Sequence, residues 1–169
     1  WMENILMIPI IGIQNTMATF AGQNMGARQP ERVSKGLGQG VLVSLLMTAA
    51  LCLCQLLGME LIIRAFKLDA AAAAICRQHL FASVLSEPIF AIYFPANGMF
   101  QGVGEGFHAT FYALMALGLR VVFAYSLYRT AFFGYTAIWW SQAMAWTLTL
   151  VTCYAHFFHG KWKEKSLVS

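Results

Sequence analysis

Residues 40–63 read GVLVSLLMTAALCLCQLLGMELII. A helix needs about twenty mostly apolar residues to cross a hydrocarbon core of roughly 30 Å, and this stretch is long enough to do so. Four more stretches of the same kind lie around it, at about 4–22, 78–100, 108–129 and 135–158. The sequence therefore predicts an all-α integral membrane fold of about five transmembrane helices occupying residues 1–169. Composition agrees: 59% of the residues are hydrophobic and 11% charged, where a soluble domain carries roughly a quarter charged residues. A transmembrane barrel would need segments of about ten residues with alternating polarity, and these runs are twice as long and do not alternate. A soluble bundle would need a charged stripe along each helix, and none has one.

The net charge of +4 would suggest nucleic acid in a soluble protein. Here much of the Lys and Arg lies beside apolar spans, which is a signature of membrane topology, so no nucleic-acid partner is expected. The run QNMGARQPERVSKG after the first span holds Arg28, Arg32 and Lys35 against a single Glu31, and Lys161, Lys163 and Lys165 follow the last span. Arg64, Lys67, Arg77 and Arg129 fall on the opposite side. The excess of basic residues orients the first loop and the C-terminus toward the cytoplasm of a multi-pass protein in the cell membrane. Cys52, Cys54, Cys76 and Cys153 show no metal-ligand spacing and read as free thiols packed as small apolar groups. Trp1 is not an initiator and residues 1–4 supply no leader, so the sequence reads as a piece of a longer chain.

Three strings carry a family resemblance. TFAGQNMGARQPERVSKG, with Gln23, Asn24, Gly26, Ala27 and Arg32, resembles the signature after the second helix of each lobe in the MATE (multidrug and toxic compound extrusion) transporters. GMFQGVGEGFHATFYALMALGLRVVFAY, with Arg120, resembles the family's next distinctive block, and GYTAIWWSQAMAWTLTLVTCYAHFFHGKWK is similar to the final helix and basic exit of the C-terminal lobe. The resemblance implies a twelve-helix transporter of two six-helix lobes, of which this chain would supply helices eight to twelve. It also implies Na⁺- or H⁺-coupled export of cationic, amphipathic drugs, with no cofactor, and a missing N-terminal lobe as the chain's partner. Alone, one lobe should transport nothing, because it cannot close a cavity on both sides.

Glu87 is the residue on which function should turn. It lies about ten residues into the third span beside Pro88, and an ionisable group at that depth is costly enough to be read as functional by default. Arg120 should lie at a similar depth on the fourth span, since each residue rises 1.5 Å along a helix. If the two meet, they form a structural ion pair. If they do not, burial opposes the carboxylate charge and makes Glu87 a proton-coupling candidate. Ser83, Phe90 and Phe94 follow helical spacing from Glu87 and offer aromatic rings beside a carboxylate, a surface that suits a coupling ion or a cationic substrate. Pro88 and Pro95 should bend this helix.

Gln14, Asn15 and Asn97 are uncharged polar residues inside spans and should form hydrogen bonds between helices. His79, His108, His156 and His159 fall near span ends without ligand spacing, so no metal site is expected. Gly102-Val-Gly104-Glu105-Gly106 follows a membrane helix rather than a strand and reads as a tight turn, not a phosphate loop. No nucleophile stands with a base and an orienting acid, which argues against an enzyme. Two rivals to drug export are a lipid-linked oligosaccharide flippase, which would line its cavity with many cations where this chain has only Arg120 at mid-depth, and a non-transporting membrane scaffold.

Overall fold

Short connections dictate the topology. In the computed structural model, which describes residues 2–130 and 134–164, helix α1 (Met2–Gly26) is followed by α2 (Pro30–Ala65), α3 (Ala70–Gly102), α4 (Gly106–Tyr128) and α5 (Ala137–His159). Single 3₁₀ turns at Gly134–Thr136 and Lys161–Glu164 flank α5. The links at 27–29, 66–69 and 103–105 are too short for anything but antiparallel neighbours. The link between α3 and α4 turns at Gly104, whose φ of 80° is left-handed and suits glycine. Among the described residues there is no strand.

Each stretch read as a span coincides with one helix to within two residues at its ends or falls inside it, but α2 and α3 start well before hydropathy suggests. Helix α2 begins at Pro30, with proline at its first position and Glu31 in its first turn, both favourable there. The basic run Arg28–Lys35 is therefore mostly helix, and only Arg28 of its three cations lies in the loop. Helix α3 begins at Ala70 because the Asp69 carboxylate accepts the Ala72 amide at 2.7 Å and a run of alanines follows. It then runs unbroken through Pro88 and Pro95.

Among the described residues α2, α3 and α4 are both long and apolar enough to cross a membrane, each holding an 18-residue stretch with a mean hydropathy of 2.2, 1.2 and 1.5 respectively. Helices α1 and α5 have comparable length, 25 and 23 residues. They carry more polar groups, such as Gln14 and Asn15 in one and Gln142 and Thr147 in the other. Leu42, Leu46, Leu53, Leu57 and Leu61 lie exposed along α2, and Phe111, Leu114, Val121 and Val122 along α4. Such faces are unfavourable in water and suited to lipid tails.

Helix α3 is the axis of the molecule and touches each of the other four. Its closest approach is to α1, where an added Cβ on Gly98 would stand 2.1 Å from the Gln14 carbonyl oxygen, and one on Gly102 the same distance from that of Ala18. At the same end of the bundle Trp162 is fully buried and donates its Nε1–H to the Phe157 carbonyl at 3.0 Å. Lys163 reaches Glu31 at 3.0 Å, tying the chain beyond α5 to the start of α2. Lys165 and Ser169 lie outside the described residues.

Candidate functional site

Antiparallel packing of α2 on α3 brings Cys52 and Gln55 over Glu87. Gln55 donates its Nε2–H to Glu87 Oε1 at 2.6 Å, and the Cys52 thiol donates to Oε2 at 2.8 Å. The carboxyl group is only 5% exposed. A buried carboxylate is tolerable when both oxygens accept hydrogen bonds, so the neighbouring helix, rather than an opposite charge, accommodates this one. Cys52 is free, as are the other three cysteines, but it acts as a donor and not merely as a small apolar group.

The first sequence alternative, a Glu87–Arg120 pair, is not what the fold makes. Arg120 lines a separate cavity of about 170 Å³ with His79, Ser83, Ser86, Trp139 and Gln142. Glu87 lines a smaller hollow of about 30 Å³ with Thr48, Leu51, Ser83, Ser86, Phe90 and Gln142. Ser83, Ser86 and Gln142 are common to both and stand between acid and base. The reason is rotational: equal depth along two helices says nothing about the face each side chain occupies. Ser86 is buried there and donates its hydroxyl to the Ser83 carbonyl at 2.9 Å.

Of the residues expected to share the Glu87 face, Ser83 and Phe90 line its hollow, whereas Phe94 packs beside it. Phe94 stacks on Trp146 with ring centroids 6.0 Å apart, and Phe90 meets the same indole edge-on at 5.2 Å. Trp146 of α5 thus covers ring surface that the sequence alone would leave open to a cationic ligand. One further residue, which the sequence reading passed over, belongs to the hollow. Thr48 stands one turn before Cys52 on α2, is buried, and its hydroxyl has no hydrogen-bond partner among the described residues.

The expected signature residues serve the turn between α1 and α2. Asn24 donates its side-chain amide to the Phe20 carbonyl at 2.8 Å, and its own carbonyl accepts the Gln29 amide at 2.8 Å. Arg32 reaches back to the Gln29 side chain at 2.9 Å, and Gln23 is exposed. These contacts keep the cytoplasm-predicted turn tight and lie far along the helices from Glu87.

Two of the histidines, which spacing left apart, meet in the fold. The turn after α3 and the end of α5 bring Glu105, His108 and His156 together, with both imidazoles 3.2 Å from Glu105 Oε2. The ligand-capable atoms of the three all lie within 4.8 Å of one another. His108 follows Glu105 at i+3 and was visible as such; His156 arrives from another helix, which no spacing announces.

The family model described as MatE matches residues 2–126. No curated protein and no solved structure gives a significant match.

Proposed function

The chain belongs to the MatE family of membrane transporters, which makes it part of a multi-pass membrane protein, and from that premise we propose that its Glu87 hollow is the coupling-ion site of a drug or organic-cation antiporter. The observation that carries this reading is a buried carboxylate at mid-helix sharing its hollow with a Thr48 hydroxyl that has no partner among the described residues. A hollow of about 30 Å³ holds a water or a small cation, which needs roughly 10–15 Å³. It is far below the several hundred Å³ of a pocket for an organic molecule. The coupling ion, Na⁺ or H⁺, therefore belongs at Glu87. The amphipathic substrate belongs to the larger space between this chain and a second lobe, and alternation of the two lobes would move it outward across the cell membrane.

Glu87→Gln tests the proposal in the complete transporter. The substitution preserves volume and removes the buried charge, so folding and insertion should stay near the parent level. Efflux of ethidium from energised proteoliposomes should fall by tenfold or more. Imposing an Na⁺ gradient and a pH gradient separately identifies the ion. Parent-level efflux from Glu87→Gln would remove the hollow from the coupling mechanism.

A further inference from the structure

A second polar centre lies at the opposite end of α3 from the start of the bundle, on the face where the C-terminal turn packs. Glu105 occupies the position just before α4 without a side-chain capping bond and is 6% exposed, His108 stands on the first turn of α4, and His156 comes from the last turn of α5. Nothing in the transport reading uses these three residues.

We propose that Glu105, His108 and His156 form a binding site for a first-row transition-metal dication, Zn²⁺ being the best fit. The donor set is two imidazoles and one carboxylate, the chemistry such ions take from proteins. Geometry supports it. Ligand atoms about 2.1 Å from a tetrahedral zinc stand roughly 3.4 Å from one another. His108 Nδ1 and His156 Nε2 each lie 3.2 Å from Glu105 Oε2, so two edges of the ligand triangle already have that length. The third is no longer than 4.8 Å, and closing it requires only a small rotation of the His108 side chain, which is 44% exposed.

The surroundings of His156 are those of a held ligand. Its other nitrogen, Nδ1, lies 2.7 Å from the Tyr112 hydroxyl. With Nε2 presented to the metal, Nδ1 carries the proton and donates it to that hydroxyl, the second contact that fixes tautomer and ring orientation in metal-bound histidines. The ring is also stacked on Phe100, with centroids 4.8 Å apart and planes 11° from parallel. Three protein ligands leave a fourth position to water, and the exposed side of His108 gives both water and ion their way in. A bound ion would clip the start of α4 to the end of α5.

The test uses the complete transporter, purified without a histidine tag and stripped of metal by chelator. Zn²⁺ titration by calorimetry should show one site per chain, and Co²⁺ in its place should give the ligand-field absorption of a four-coordinate ion. His108→Gln alters a half-exposed side chain without disturbing the core and should weaken binding by at least tenfold. Tyr112→Phe leaves all three ligands in place and should weaken it about tenfold through loss of the orienting contact. His159→Gln, outside the cluster, should change nothing. Zn²⁺ should also raise the thermal midpoint of the parent and not that of His108→Gln. Absence of a saturable site in the parent, or equal affinity in parent and His108→Gln, would overturn the assignment.

Discussion

Asn97 holds three helices at one point. Its Oδ1 accepts from Gln14 of α1 at 2.9 Å and from Gln101 at 2.7 Å, while Nδ2 donates to the Tyr93 hydroxyl at 2.8 Å and to the Ala109 carbonyl of α4 at 2.9 Å. Four side-chain bonds at roughly 0.6 kcal/mol each make Asn97→Leu a loss on the order of 2 kcal/mol, and Gln14→Leu a loss of about a quarter of that. Reversible unfolding in mixed detergent measures both, and an Asn97→Leu variant as stable as the parent would refute the hub. The sequence made Gln14 and Asn97 legible as interhelical groups because an amide inside a span has few other uses. It treated Asn15 alike, yet Asn15 is exposed, its backbone carbonyl accepts the Thr19 hydroxyl at 3.2 Å, and among the described residues its side chain makes no bond to another helix. Partner choice was not legible for Glu87 either, since nothing in residue spacing says that Cys52 and Gln55 of another helix will face it.

At the scale of elements, the decisive surface is the one between α1 and α3. Small residues let two backbones approach, and lipid-embedded helices rely on such contact because hydrocarbon gives them no hydrophobic drive to associate. Gly98 and Gly102 stand four apart on α3, against the Gln14 and Ala18 carbonyls of α1. Those obstructing atoms are backbone and cannot swing aside, so Gly98→Ala or Gly102→Ala must push the helices apart, at a cost of about 1–3 kcal/mol or more. Gly118→Ala is the control: nothing lies within 4 Å of its added Cβ, and the exchange should be neutral or slightly stabilising because alanine favours helix. Equal stability of all three variants would mean that the close packing contributes nothing. Five helices were legible as five long apolar stretches, although among the described residues α2, α3 and α4 are the ones both long and apolar enough to cross a membrane. Helix starts were not legible, since proline and aspartate caps extend α2 and α3 into polar sequence where hydropathy is blind. The glycine pair was present in the sequence as a spacing of four, but only the neighbouring helix gives that spacing a meaning.

At the scale of the whole molecule, the alternation of helix directions sorts the charges. The α1–α2 turn, the α3–α4 turn and the end of α5 share one face, and the α2–α3 and α4–α5 connections share the other. Arg28, Arg32, Lys35, Lys161 and Lys163 all belong to the first face, and the Lys163–Glu31 ion pair and buried Trp162 hold the last turn against it. The second face carries Arg64, Lys67, Arg77 and Arg129, but the Arg77 guanidinium is engaged by Glu60 at 2.8 Å. Cationic segments stay on the cytoplasmic side during insertion, so the first face should be the inner one. Single cysteines at Gln29 and Thr130, both exposed and at opposite ends, report this in a background without other cysteines. An impermeant maleimide added to intact cells should label Thr130→Cys and leave Gln29→Cys unmodified until the cells are opened. Rapid labelling of Gln29→Cys from outside would invert the orientation, and with it the side from which water and ions reach Glu105 and His108.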